Sequence, residues 1–375
     1  MPYHAEWERA GMVSRELWRK AGTAGFLCCN IPVEFGGQGG DFLFSVIVVE
    51  ELMRVGASGP FFHLHSDIVA PYILKYGTRE QSLKWIPRMA SGETIAAIAM
   101  TEPRGGSDLQ AIETTATRDG DEYVIRGQKV FISNGQLCDL VVVAAQTEPG
   151  ARARGIALFL VEADRPGFNR GRNLEKIGLK AQDTSELFFE DVRIPAANML
   201  GEPGRGFAQL MRELPQERLL QAVKAVAVCE AALQWTIDYT LERRTFGKPV
   251  AEFQNTQFKI AELAALTSSQ RVFVDRCLEL HLEGRLDTVD AAMVKLTATE
   301  AQLKVVDECL QFFGGWGYMW EYPIARAYAD ARQAKLAAGS AEIIKGIIAR
   351  ALLGPGRSQL GAQAAAPAPK RSPVQ

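Results

Sequence analysis

Histidine is scarce in this chain, with four residues in 375. Only His63 and His65 stand close together, in an apolar run, and the six cysteines include no Cys-x-x-Cys pair. A zinc site of ordinary ligand spacing is therefore not expected, and no metal site is assigned. His63 and His65 read instead as packing groups or local hydrogen-bonders. Cys28 and Cys29 are adjacent, a spacing that rarely forms an unstrained bridge. Together with Cys138, Cys229, Cys277 and Cys309 they read as reduced core residues of an intracellular protein. An excess of charge is missing too: 42 Lys and Arg stand against 44 Asp and Glu, for a net charge of -2. The basic residues are dispersed, which argues against nucleic acid as a partner. No apolar run reaches membrane-spanning length, and MPYHAEWERAG at the start has no apolar signal core. The expectation is a soluble, cytoplasmic protein without an integral membrane segment.

What is present is ordinary globular composition, 47% hydrophobic and 23% charged, in a length that suits two or three domains. Residues 1–92 carry apolar residues at helical spacing, with RELW-type segments and DFLFSVIVVEEL (41–52) forming helices, and REQSLKWIP (79–87) closing at Pro87. From 93 to 200 the period becomes two. Strands are expected at 95–100, 123–133, 140–145, 156–161 and 186–194, separated by turn signals such as Asp119-Gly120 and Asn134-Gly135. Strands without intervening helices suggest an antiparallel sheet or barrel. After GEPGRG (201–206) helical patterns return at 206–242, 254–285, 288–313 and 341–353, a bundle domain spanning 201–353. The last segment, 354–375, is rich in Pro, Ala and Gly and is expected to be disordered. The fold class is α+β, mostly α: an N-terminal helical domain, a middle antiparallel β domain and a C-terminal four-helix bundle.

Several motifs stand out. FGGQGGDF (35–42) and FGGWGY (313–318) follow no βαβ strand and miss the full dinucleotide spacing, so Gly314 and Gly315 read as a helix end. In AIAMTEPRGGSDL (97–109) a strand runs into a loop whose amides and hydroxyls can bind polar ligand atoms, or simply form a surface turn. KVFISNG (129–135) places Phe131 and Ser133 two apart, hence on one strand face, as core or against a flat ligand. ERRTFGKPV (242–250) is a basic turn. In LPQERLLQAVKAV (214–226), Glu217 shares a helix face with Leu210 and Leu214. It is either a solvated Glu beside a proline that opens or kinks the helix, or a buried carboxyl whose pKa is raised by desolvation.

Taken in order, AMTEPRGGSD (99–108), KVFISNG (129–135), ERRTFGK (242–248), QFFGGWGY (311–318) and AGSAEII (338–344) resemble the acyl-CoA dehydrogenase family. LPQERLL (214–220), GWGYMWEYPIA (315–325) and KAQDTSELFFED (180–191) are most similar to its long-chain members. The resemblance implies FAD, an acyl-CoA substrate, a homotetramer built as a dimer of dimers, and electron-transfer flavoprotein as the usual acceptor. It implies that Ile98, Met100, Thr101, Gly106 and Ser107 hold the flavin and its ribityl chain, with Ser107 also facing the pantetheine. Phe131 and Ser133 match residues against the flavin. Arg243, Thr245, Phe246, Gln254, Gln311 and Gly315 match positions reaching the FAD of a neighbouring subunit, and Ser340 and Glu342 the last flavin contacts. Leu214, Arg218, Ala338 and Gly339 fall on the substrate side.

Many members carry the catalytic glutamate just before the glycine that matches Gly339. Here that residue is Ala338, which cannot take a proton. Long-chain and isovaleryl members carry the base on the helix instead, at the position of Glu217, so the resemblance makes Glu217 the catalytic base. The implied reaction removes the α-proton to Glu217 and the β-hydride to flavin N5, giving a trans-2-enoyl-CoA in fatty-acid β-oxidation. The Ala338 N–H and a ribityl hydroxyl would hold the thioester oxygen. The resemblance also implies a truncated or late start, since relatives have another helix upstream. An isovaleryl-type branched-chain enzyme is the nearest alternative. An acyl-CoA oxidase is normally longer, a nitroalkane- or amine-type flavoprotein places another acid at the base position, and a non-catalytic acyl-CoA-binding scaffold would be expected to lose Glu217. The Ala-, Arg- and Gly-rich composition suits a bacterium; a eukaryotic source would imply the mitochondrial matrix.

Overall fold

The computed structural model describes residues 3–354. Of the tail expected to be disordered, 354–375, all but Gly354 lies outside the described residues. Helices α1 (His4–Ala10), α2 (Arg15–Thr23), α3 (Phe42–Arg54), α4 (Ala70–Tyr76) and α5 (Arg79–Ala90) open the chain, with a π-helical segment Leu64–Val69 leading into α4. Thr78 starts α5 with a reciprocal capping box to Gln81. Pro87 does not close that helix as its sequence suggests; it sits inside, and the chain stays helical to Ala90. Trp85, Ile86 and Met89 are buried around it, so side-chain packing outweighs the loss of one backbone donor.

Eight strands follow: β1 (Ala96–Ala99), β2 (Thr115–Asp119), β3 (Glu122–Ser133), β4 (Leu140–Gln146), β5 (Ile156–Glu162), β6 (Phe168–Asn173), β7 (Thr184–Pro195) and β8 (Met199–Leu200). They form one sheet in the order β6-β7-β3-β2-β4-β5-β8, with β1 on β4. The purely antiparallel expectation is corrected here, because β1 and β2 both pair with β4 in parallel. The β2–β3 hairpin reverses the chain, and β3 returns it to lay β4 alongside β1. Strand β4 shows why the sheet sits centrally. Leu140, Val142 and Ala144 join the core shared with the helices, while Val141, Val143 and Ala145 join a second core on the other face.

The C-terminal part holds α6 (Gly206–Glu242), a two-strand hairpin of β9 (Arg244–Thr245) and β10 (Lys248–Pro249), α7 (Gln254–Leu282), α8 (Thr288–Phe312), α9 (Pro323–Ala334) and α10 (Ala341–Leu353). Four of these helices were indicated by periodicity; α9 was not, and it packs with α10 against α8. Helix α6 is the spine of the molecule. It packs on α3, α7, α8 and α9, and from Leu219 to Ala227 every residue is buried. Pro215 lies within it rather than at its start and leaves the Met211 carbonyl without a donor from four residues on. No described helix is long and apolar enough to cross a membrane.

Candidate active site

Glu217 projects from the buried face of α6, with Leu210 and Leu214 on the turns before it. It is 7% exposed, and its Oε1 has no hydrogen-bond partner among the described residues. The solvated reading of Glu217 is thereby excluded. Burial pushes its pKa up to about 7, opposed by the positive charge of Arg218 and reinforced by Glu213 one turn back. The Tyr72 hydroxyl stands close enough to favour the carboxylate, although it too completes no hydrogen bond. Glu213 is already engaged, accepting from Lys75 Nζ and Tyr76 Oη, both at 2.6 Å.

The loop between α9 and α10 is tied to the same place. Arg218 Nε donates to the Ala338 carbonyl at 3.4 Å, and Lys295 Nζ from α8 donates to the Gly339 carbonyl at 2.8 Å. Ala338 and Gly339 have φ of 54° and 96°, two successive left-handed residues. The two carbonyls are thus held by cations of α6 and α8, while the N–H groups of Ala338 and Gly339 donate no hydrogen bond among the described residues. A carboxyl poised near neutrality and free backbone donors beside it can accept a proton and hold an anionic oxygen. Ser340 caps α10, its Oγ accepting from Ile343 N, and Glu342 sits exposed in the first turn.

A second group forms at the end of β1. Ile98 is buried, Met100 and Thr101 are half-buried, and Gly106 and Ser107 are exposed. Val130 N donates to the Thr101 carbonyl at 2.9 Å and Lys129 Nζ to the Met100 carbonyl at 3.1 Å, which joins this loop to β3. The β3–β7 register shifts between Lys129 and Ile132, and Phe131, at φ 61°, is 65% exposed between buried Val130 and Ile132. The core reading of Phe131 therefore fails; its ring faces outward, with Ser133 half-buried two residues on. Arg243, Thr245, Phe246 and Gln254 cluster about the β9–β10 hairpin, and Gln311 and Gly315 at the end of α8; all six are exposed. This third group does not meet Glu217 in one chain. Arg243 lies 26 residues along from Glu217, about 39 Å of helix axis.

Sequence reasoning missed three buried groups that set this geometry: Lys295, and the Glu102–Lys129 ion pair at 2.8 Å under the β1 loop. Glu102 and Lys129 stand inside motifs quoted above, but their pairing across 27 residues has no local signal.

Family models for the acyl-CoA dehydrogenase N-terminal, middle and C-terminal domains match residues 1–93, 97–192 and 204–353. The chain belongs to the acyl-CoA dehydrogenase family. The chain is 53% identical to the mitochondrial long-chain specific acyl-CoA dehydrogenase of Rattus norvegicus over 355 residues, 94% of this chain and 83% of that protein. Among solved structures it is similar to an acyl-CoA dehydrogenase from Geobacillus kaustophilus, with TM-score 0.92, 49% identity, and 94% and 93% of the two chains covered. It is also similar to butyryl-CoA dehydrogenase from Megasphaera elsdenii, with TM-score 0.90, 34% identity, and 94% and 93% covered. Like the rest of this flavoprotein family, it is an oxidoreductase acting on acyl-CoA.

Proposed function

We propose that this acyl-CoA dehydrogenase uses FAD to convert a long-chain acyl-CoA to the trans-2-enoyl-CoA, with Glu217 as the α-proton base. The observation that carries the reading is Glu217 itself: a buried carboxyl whose Oε1 has no hydrogen-bond partner among the described residues, next to a loop whose acid position is held by Ala338. The α C–H beside a thioester is a weak acid, so the base must be strong and the enolate oxygen stabilised. Desolvation supplies the first. The free N–H of Ala338, fixed by the Arg218 and Lys295 contacts to the loop carbonyls, supplies the second, at a few kcal/mol per donor. Leu214 and Gly339 complete the wall around the reacting carbons. A rigid helix aims the carboxyl, which favours proton transfer over a loop-borne acid.

The groups at the β1 loop suit FAD. Thr101, Ser107 and Ser133 offer hydroxyls, Ile98, Met100 and Gly106 backbone, and Phe131 an exposed ring for a flat heterocycle. Arg243 with Thr245, Phe246, Gln254, Gln311 and Gly315 would meet the FAD of another subunit, since α6 holds them far from Glu217; Ser340 and Glu342 would close the flavin end. Bound FAD supplies the hydride acceptor. The distance between the two groups supports a site shared between subunits; the homotetramer and electron-transfer flavoprotein as acceptor are proposed from the family resemblance. The long-chain assignment follows the rat relative.

The test is anaerobic: the yellow oxidised flavin is titrated with acyl-CoAs of increasing length. Bleaching by long straight chains is the expected result. Bleaching only by branched short chains would replace the substrate class, and none at all would remove the reading. The pH profile follows from Glu217. Only its carboxylate accepts the proton, so kcat/KM should fall about tenfold per pH unit below about 7 and level off above it. Stopped-flow reduction rates from pH 5 to 9 would show this, and a flat profile would point to another base. Adding a carboxyl at the loop, Ala338→Glu in a Glu217→Gln background, should restore part of the activity with shorter chains preferred. Ala338 already occupies left-handed backbone, so the change adds little strain. No recovery would mean that the loop does not face the α-carbon.

A further inference from the structure

Helix α6 carries two buried carboxyls on one face, Glu213 and Glu217, one turn apart. Against them α4 carries two tyrosines at the same spacing, Tyr72 and Tyr76, with ring centroids 6.0 Å apart. One Tyr–Glu pair is closed: Tyr76 Oη donates to Glu213 Oε1 at 2.6 Å. The two segments are tied a second time, where Gln216 Nε2 donates to the Asp67 carbonyl in the π-helical turn that leads into α4. The ties run antiparallel, from Tyr76 to Glu213 and from Asp67 to Gln216. One turn back along α4 and one turn forward along α6, about 6 Å on each axis, therefore bring Tyr72 against Glu217.

Both members of this second pair are enclosed. Tyr72 is 0% exposed, and neither Tyr72 Oη nor Glu217 Oε1 completes a hydrogen bond among the described residues. Two neighbouring polar atoms, each desolvated and each without a partner, are a costly arrangement unless they serve one another. Burial, and then the Glu217 and Glu213 charges, hold the Tyr72 hydroxyl well above its usual pKa, so it stays protonated. A hydroxyl is donor and acceptor at once: it can donate to the Glu217 carboxylate and accept from the Glu217 acid. The other charged groups around the carboxyl have partners. Lys75 and Tyr76 hold Glu213, and His281 of α7, kept neutral by burial, faces that pair. Arg218 donates to the Ala338 carbonyl and Lys295 of α8 to the Gly339 carbonyl. Of the groups that act on Glu217 itself, Arg218 and Glu213 are engaged elsewhere and Tyr72 is not.

We propose, building on the dehydrogenase reading above, that Tyr72 is a positioning residue for Glu217, its hydroxyl donating to the carboxylate before proton abstraction and accepting from the carboxyl after it. The base then keeps one orientation throughout the step. Tyr72 transfers nothing: the α-proton passes to Glu217, and the tyrosine keeps its own. The contact favours the carboxylate, so it opposes the upward push of burial and keeps more of the base in its working form near neutrality.

The experiment sets two variants of the holoenzyme, Tyr72→Phe and Tyr76→Phe, beside the native protein. Anaerobic flavin reduction by a long straight-chain acyl-CoA is followed from pH 5 to 9. Tyr72→Phe should move the midpoint of the acid limb up by about one pH unit, or about tenfold in rate at a fixed pH below it. KM should not change, because the hydroxyl touches no substrate. Tyr76→Phe loses a bond to Glu213, which Lys75 still holds, and should keep the native midpoint. The infrared band of the protonated Glu217 carboxyl, identified by its absence in Glu217→Gln, titrates without turnover and should shift with the kinetic midpoint. A native midpoint in Tyr72→Phe overturns the proposal and leaves the dehydrogenase reading standing. Equal shifts in both variants, or a rate loss uniform across pH, would trace the effect to packing of α4 and overturn it too. A native enzyme whose flavin no acyl-CoA reduces removes the reading, and with it the base that Tyr72 would position.

Discussion

Replacing Glu217 by glutamine is expected to leave the flavin bound and to cut turnover by on the order of 10²–10⁴-fold, the range a positioned general base supplies. Glutamine matches the shape of the side chain and needs no charge in a site that is 7% exposed, so the wall of α6 should stay intact. Stability should move the other way. The carboxyl titrates near 4.5 when solvated and at about 7 in the fold, so the folded state holds its proton more tightly. Ionisation therefore opposes folding: native stability declines as pH rises from about 4.5 to 7 and is lower by a constant amount above that. The difference is on the order of 3 kcal/mol, and the glutamine variant escapes it. Activity should fall while resistance to urea at pH 8 rises. A variant that keeps substantial flavin reduction would remove Glu217 as the base, and one that loses activity and stability together would give it a structural role instead.

How much of this was legible before the structure depends on how local each signal is. Helix α6 could be bounded to the residue because a continuous apolar periodicity starts at the glycine-rich GEPGRG turn and stops at the basic RRTFGK turn. Proline misled at Pro87, read as a helix end, but not at Pro215, where the apolar periodicity of 206–242 runs through it; at Pro87 what tolerates the ring is packing contributed by distant segments. The β2 and β6 strands escaped notice because they are short and largely exposed, so their alternation is faint. The parallel pairing of β1 with β4 could not be read, as strand direction in a sheet is decided by connections spanning some forty residues. At the site, the position of Glu217 was readable from its helix face and from the family's motifs. The groups that give it meaning were not. Arg218 and Lys295 reach the Ala338–Gly339 carbonyls across 120 and 44 residues, and neither contact leaves a mark in local spacing.

The Glu102–Lys129 pair is the clearest case of such a hidden support, and breaking it from the acidic side should be the most destabilising change near the site. The two side chains are 4% and 0% exposed. Burial lowers the Lys129 pKa to about 8 even with its partner in place, so without Glu102 the amine would be stranded with only the Met100 carbonyl. Burial pushes the Glu102 carboxyl up, but Lys129 and the backbone N–H of Glu113 and Thr114 together hold it below its usual value. The two replacements should therefore differ. Glu102→Ala orphans a buried ammonium and two N–H groups at once, at a cost of about 3–5 kcal/mol. Lys129→Met leaves the carboxylate with both backbone donors and should cost less. The same loss should loosen the loop that carries Thr101, Gly106 and Ser107, so Glu102→Ala should also lose its flavin on dilution more readily. Urea unfolding of both variants, followed by tryptophan fluorescence and by flavin release, would check each step. A loss in Glu102→Ala within the roughly 0–1 kcal/mol of an exposed pair, or a larger loss in Lys129→Met, would show that the loop is held by something other than this charge pair.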